Sequence, residues 1–120
     1  MGFSQDNILT GKWKLIGFDE MKGKSFCAPT DNVVLNLKDS ATKGTIKGRS
    51  LCNDVGGTYN VKPNGEISAS YLGGTMVMCV GDPQFCNAFG NSWAYTKAND
   101  TLTIFYDKDS KKLIFVKLKQ

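Results

Sequence analysis

Four cysteines are the side chains of this sequence that are best suited to covalent or redox chemistry: Cys27, Cys52, Cys79 and Cys86. Two disulfides, a cysteine-only zinc site and four buried thiols are all compatible with this number. Zinc is the least favoured, because zinc knuckles use closely spaced pairs and at least six residues separate any two of these cysteines. We therefore predict no metal site, and disulfides and buried thiols stay open as alternatives.

The pair Cys79 and Cys86 would have to carry any thiol redox activity. It lacks the two-residue spacing and the cationic neighbours that lower a thiol pKa. A thiol redox protein that uses this pair is therefore kept only as an alternative hypothesis. Rapid alkylation of a folded thiol near neutral pH would distinguish it from a protein with buried, structural cysteines.

Histidine is absent from the sequence, which excludes serine–histidine and cysteine–histidine catalysis and histidine-ligated metals. The carboxylates Asp19, Glu20, Asp107 and Asp109 lie in turn-rich sequence, where aspartate is common for backbone reasons. Nothing in their spacing places two carboxylates face to face across a substrate. We expect no catalytic residue, no enzymatic activity and no cofactor.

The charge balance is mildly basic, with 15 lysine and arginine residues against 11 acidic ones. Only one of the cations is an arginine, Arg49, so we expect no nucleic-acid partner. A C-terminal group of lysines is interpreted as the solvated face of an edge hairpin rather than a binding patch; it comprises Lys108, Lys111, Lys112, Lys117 and Lys119.

No apolar run approaches the ~20 residues of a membrane span, so no transmembrane segment is predicted. The first residues have neither a basic nor an apolar region of a signal peptide. As written, the chain is predicted to be cytoplasmic and monomeric. A leader trimmed from the sequence, and hence export, stays open.

Short runs of alternating apolar and polar residues, bounded by turn residues, predict strands through most of the chain. They cover residues 12–17, 32–38, 43–50, 59–61, 66–72, 93–97, 101–106 and 112–118. In the first run Trp13, Leu15 and Gly17 are assigned to the inner face and Ile16 to the outer one. Gly44 and Gly48 are assigned to the inner face of the third run, where they leave room for another backbone, a helix or a ligand.

One helix interrupts the strands. Asp82-Pro83 is typical of a helix start, and Phe85, Ala88 and Phe89 form an apolar stripe at helical spacing. Such a long antiparallel sheet removes its edges by curling, and the helix must cover an opening in it. The sequence thus predicts a single domain, mainly β, with seven or eight antiparallel strands in a cracked barrel and one short helix inserted after about residue 82.

Two resemblances follow from local motifs. Gly11-Lys12-Trp13 resembles the opening of lipocalin-type barrels, which keeps a lipocalin-like carrier of small ligands as an alternative. The segments Lys47–Tyr59 and Gly74–Cys79 resemble the META domain, a family that includes bacterial heat-inducible proteins of the HslJ type and kinetoplastid proteins linked to virulence. The matching positions are Gly48, Cys52, Asn53, Gly57, Tyr59, Thr75, Met76 and Cys79.

The META resemblance covers roughly residues 9 to 118, so we divide the chain into an N-terminal extension, 1–8, and a META domain, 9–120. It implies a non-enzymatic protein of stress response or virulence, with a role in secretion. It also implies a half-open barrel that binds a lipid, another hydrophobic ligand or a protein partner. Adaptable apolar side chains are predicted to line the groove: Trp13, Met76, Met78, Phe85, Phe89 and Trp93.

Overall fold

Alternating side chains organise the molecule into strands, as the sequence predicts. The computed structural model describes residues 8–18, 33–49, 54–70, 73–74, 82–108 and 111–118. The strands are β1 (Gly11–Phe18), β2 (Val34–Ser40), β3 (Lys43–Arg49), β4 (Asp54–Val61), β5 (Ile67–Ala69), β6 (Gly73–Gly74), β7 (Ser92–Ala98), β8 (Thr101–Tyr106) and β9 (Lys111–Lys117). The helix is α1 (Asp82–Gly90).

The described strands form one antiparallel sheet in the order β5-β4-β3-β2-β1-β9-β8-β7, and the two-residue β6 pairs with β4. The sheet curls until its first and last strands meet, where the bridge between Glu66 and Ala94 joins them. The eight strands of this order form a nearly closed barrel, with β6 beside β4 and one short helix, which confirms the predicted fold class.

The inner face of β1 shows both the strength and the limit of the alternation rule. Trp13 and Leu15 are buried, whereas Ile16 is 54% exposed, as predicted. Gly17 differs from the prediction, because a β-bulge shifts the register between Leu15 and Gly17. Ile114 packs over Gly17 on the outer side, and Phe18 takes the next inward position. One extra residue in the strand thus reverses which side chain faces the core.

Helix α1 begins at Asp82, where the Asp-Pro pair predicts it, and ends at Gly90. Ala88 and Phe89 are buried in the core, so the helix covers the opening of the barrel near β5 and β8. No helix in the described part of the chain reaches the length and hydropathy that a membrane-spanning helix needs.

Candidate functional site

A buried carboxylate lies at the end of β2. Asp39 is only 3% exposed, and four donors surround its side chain. The backbone N–H of Ile8 donates to Oδ2 at 2.7 Å, and the N–H of Leu9 donates to Oδ1 at 2.9 Å. The hydroxyls of Thr10 and Tyr59 also donate to Oδ1, at 3.1 and 2.9 Å. This set of donors compensates the cost of burying the charge.

Tyr59 reaches Asp39 because its ring lies over the backbone of Gly44 in the neighbouring strand. A Cβ at Gly44 would collide with the Tyr59 ring, so the space left by this glycine is filled by a side chain of the chain itself. Burial, then the hydrogen bond to Asp39 and its charge, raise the pKa of the Tyr59 hydroxyl above its ordinary value of 10.0. The hydroxyl therefore stays protonated and donates to the carboxylate.

The same cluster fixes the segment that precedes β1. The carbonyl of Leu9, whose amide donates to Asp39, accepts a hydrogen bond from Trp13 Nε1 at 2.8 Å. Leu9 and Trp13 are both fully buried. Because each described donor to Asp39 belongs to β4 or to this segment, we interpret the cluster as an anchor that ties the segment to the barrel.

The strands β5 and β7 are the two ends of the strand order, and we call the contact between them the seam. β1 lies near the middle of the same order. The N–H of Tyr95 donates to the carbonyl of Gly65 at 2.8 Å, and the Tyr95 hydroxyl donates to the carbonyl of Lys62 at 2.5 Å. Burial and the charge of Asp39 raise the pKa of Tyr95, so this hydroxyl also remains a donor.

An aromatic cleft opens on the outside of the barrel beside this seam, and we call it the seam cleft. Trp93 is 44% exposed and its ring centroid lies 6.4 Å from that of Phe105, at an interplanar angle of 50°. The cleft has a volume of about 450 Å³. Its lining residues are Asn64, Gly65, Trp93, Ala94, Tyr95, Thr96 and Phe105. A mostly apolar cleft with a few polar groups has the character of a site for a small ligand.

The structure separates the groove residues that the sequence predicts. Trp13 and Phe89 are fully buried, and Phe89 packs edge-on against Phe115 with ring centroids 6.4 Å apart. Trp93 lies outside the barrel, so it shares no open surface with these two residues. Met76 and Met78 lie outside the described residues, as does the side chain of Phe85, although its backbone belongs to α1.

Three of the predicted motif residues are described, and they meet at the strands β2 to β4. Gly48 lies against the backbone of Val34 and Leu35, and Gly57 pairs with Ile46. Tyr59 belongs to the Asp39 cluster. The remaining motif residues lie outside the described part of the chain: Cys52, Asn53, Thr75, Met76 and Cys79.

The thiol hypothesis gains no support from the one cysteine that is described. Cys86 lies in α1 and is 5% exposed, so solvent reaches its sulfur poorly. Cys27, Cys52 and Cys79 lie outside the described residues, and the role of the pair Cys79 and Cys86 stays a prediction. The lipocalin-like alternative also gains no support, because it requires a barrel without a helical plug.

Two important residues were missed by the sequence reading. Asp39 continues the inward alternation of Val33, Leu35 and Leu37, and a carboxylate in phase with three core residues is a signal of a buried polar site. Phe105 continues the outward alternation of β8 after Thr101 and Thr103, which marks an apolar ring on the solvent face.

Comparison with known proteins identifies the family of this chain. The family model for the META domain matches residues 6–120. A search of the curated proteins and a search of the solved structures returned no match. The family match covers nearly the whole chain and includes the barrel, the plugging helix and the residues that Asp39 anchors. The protein therefore belongs to the META domain family.

Proposed function

We propose that this protein is a non-enzymatic binding domain that binds a hydrophobic ligand or an apolar segment of a protein partner in the seam cleft. The observation that carries the proposal is Trp93, a large aromatic side chain held 44% exposed against Phe105. Exposed aromatic rings in a concave surface are the side chains that contribute most to apolar recognition.

The packing of the barrel interior supports an exterior site. Large aromatic rings fill the interior between the described strands. Five of them are at most 2% exposed: Trp13, Tyr59, Phe89, Tyr106 and Phe115. Of the six groove residues that the sequence predicts, Trp93 is the one whose described position suits a ligand that arrives from solvent. The role in stress response, virulence or secretion rests on the family resemblance and stays a prediction.

Titration with phenylnaphthylamine, an uncharged fluorescent apolar probe, tests this proposal. We expect saturable binding to the wild-type protein, and a loss of at least about tenfold in affinity for Trp93→Ala, because a buried aromatic side chain contributes roughly 1.5–3 kcal/mol. Ile16→Ala is the matched control, since Ile16 is also a large exposed apolar side chain but lies away from the cleft. Equal affinities of the wild-type protein and Trp93→Ala would refute the proposed site.

A native mass spectrum of the protein purified from its own cells distinguishes the two kinds of ligand. A lipid-sized adduct that is lost on denaturation would identify a small hydrophobic ligand. A bare mass, together with probe binding that depends on Trp93, would favour a protein partner.

A further inference from the structure

Among the described residues, cationic side chains collect on one side of the barrel. Along β1, β2 and β3, six cationic side chains occupy outward positions, and we call this surface the lysine face. It consists of Lys12, Lys14, Lys38, Lys43, Lys47 and Arg49.

Strand register brings these side chains together. Lys12 of β1 pairs with Asn36 of β2, which pairs with Lys47 of β3. The two lysines therefore lie in one row across the sheet, on either side of Asn36. Lys38 pairs with Thr45 in another row, and the hairpin places Lys43 opposite Ser40. Successive rows on one face of a sheet are neighbours, so the six cations form a continuous surface.

Acidic side chains are scarce on this surface. Asp54 is the one acid among the described outward positions of β1 to β4, and it forms a salt bridge with Arg49 at 3.3 Å. Together these seven side chains carry six of the 15 cations and one of the 11 acids of the sequence, a net charge of +5. The remaining residues therefore carry −1, since the whole chain carries +4.

A cleft borders the lysine face beside the hairpin that joins β2 and β3. It has a volume of about 580 Å³, and its lining includes Lys38 and Lys43 from two neighbouring strands together with the buried residues Asp39 and Tyr59. Hydroxyl and amide groups occupy the outward positions between and beside them, on Ser40, Thr45, Thr58 and Asn60. Ammonium and hydroxyl groups around one cleft are suited to a phosphate-bearing group.

We propose that the lysine face holds the protein on the surface of an anionic lipid bilayer, with lipid headgroups entering the cleft between Lys38 and Lys43. Five of its six cations are lysines, whose compact, strongly hydrated charges are attracted to a diffuse negative surface without losing their water. Ile16, which follows Lys12 and Lys14 on the outer side of β1 and is 54% exposed, adds an apolar contact at the edge of this face.

The composition of the face favours a bilayer over other anionic partners. Arg49 is already paired with Asp54, and none of the described outward side chains of β1 to β4 is aromatic, whereas single-stranded nucleic acids are bound by stacking on aromatic rings. A protein partner is disfavoured because the centres of protein interfaces are depleted in lysine.

Cosedimentation with lipid vesicles tests this inference. At about 0.1 M salt we expect the wild-type protein to bind vesicles that contain phosphatidylserine and not vesicles of phosphatidylcholine alone, and to dissociate as salt screens the attraction. A lysine near an anionic membrane contributes about 1 kcal/mol, or roughly fivefold in binding. The triple variant Lys38→Gln, Lys43→Gln, Lys47→Gln should therefore bind on the order of 100-fold more weakly.

A second triple variant is the matched control. The variant Lys62→Gln, Lys108→Gln, Lys112→Gln removes an equal number of positive charges, but from residues outside the lysine face. We expect this variant to retain vesicle binding within about fivefold of the wild-type protein. Equal losses in the two variants would refute the inference, because net charge alone would then explain binding. Absence of wild-type binding to phosphatidylserine vesicles, or tighter binding to DNA at the same salt concentration, would also refute it.

Discussion

Asp39 connects three parts of the molecule through single hydrogen bonds. Its carboxylate accepts from the backbone ahead of β1 and from the Tyr59 hydroxyl of β4, two strands away from its own. A buried carboxylate is tolerated only when hydrogen-bond donors replace its water. The contribution of each donor to stability therefore depends on whether the other donors are present. Burial of Tyr59, and then its hydrogen bond to Asp39, raise the pKa of the Tyr59 hydroxyl, and this shift can be measured.

Tyr59→Phe should destabilise the protein at neutral pH by about 1.5–3 kcal/mol, the usual contribution of a hydrogen bond to a charged group. The pKa of Tyr59 in the folded protein lies above its ordinary value of 10.0. The stabilising effect of the hydroxyl is therefore complete below about pH 10, the pKa in the unfolded chain. Above it the unfolded state ionises first, and the advantage of the wild-type protein over the variant should shrink by about 1.4 kcal/mol per pH unit.

Urea unfolding of both proteins at a series of pH values measures this difference. The comparison removes the effect of other groups that titrate in the same range, because both proteins contain them. A free-energy difference that stays constant between about pH 8 and about pH 11 would contradict the assigned coupling of Tyr59 to Asp39.

At the scale of elements, the strands β2, β3 and β4 depend on small residues at points of close approach. An ideal Cβ built on Gly48 of β3 would lie 2.8 Å from the Cα of Leu35 and still closer to the carbonyl oxygen of Val34. Gly56 on β4 is less constrained, since an ideal Cβ there would lie 3.5 Å from the carbonyl oxygen of Ile46. Two glycines in the same sheet therefore have different structural roles.

Gly48→Ala should destabilise the protein by about 1–3 kcal/mol, because the added methyl group would force two strands apart. Gly56→Ala is the matched control, with the same chemical change and room for the methyl group, and we expect its effect to stay within about 0.5 kcal/mol. Thermal and urea unfolding measure both. Equal destabilisation by the two variants would show that intrinsic strand preference, rather than contact with β2, explains the glycine at position 48.

At the scale of the whole molecule, the barrel is held unequally around its circumference. Central strands such as β1 have long ladders on both sides, to β2 and β9. Among the described residues, the seam between β5 and β7 has one bridge, Glu66 to Ala94, and the hydrogen bonds of Tyr95. The seam is therefore expected to open at a lower free-energy cost than the rest of the sheet.

Amide hydrogen exchange should detect this inequality. The amides of Tyr95 and Leu15 donate over similar distances, 2.8 Å to Gly65 and 2.9 Å to Val33, but only the first crosses the seam. We expect the Tyr95 amide to exchange at least about tenfold faster than that of Leu15. Tyr95→Phe, which removes the hydroxyl bond to Lys62, should accelerate exchange at position 95 and leave Leu15 unchanged. Similar protection of both amides would mean that the barrel opens as one unit.

The sequence predicted local structure well because its signals are local. Alternation located β1 and β8, Asp82-Pro83 located the start of α1, and the two motif segments indicated the family. The same reasoning placed Trp13, Phe89 and Trp93 in one groove, because periodicity identifies apolar side chains without specifying which surface they share. Asp39 was missed because the donors that make its burial possible lie 20 to 31 residues away in the sequence.

Patterns in the sequence located eight of the nine described strands, the helix and the inward and outward faces of most strands, and they indicated the META domain family. Tertiary structure alone decided the bulge that turns Gly17 outward, the anchoring of Leu9 by Asp39, the exposure of Trp93 beside the seam and the convergence of lysines on one face. Each of these features depends on how one strand is aligned with its neighbours, and the pattern within a single strand does not encode that alignment.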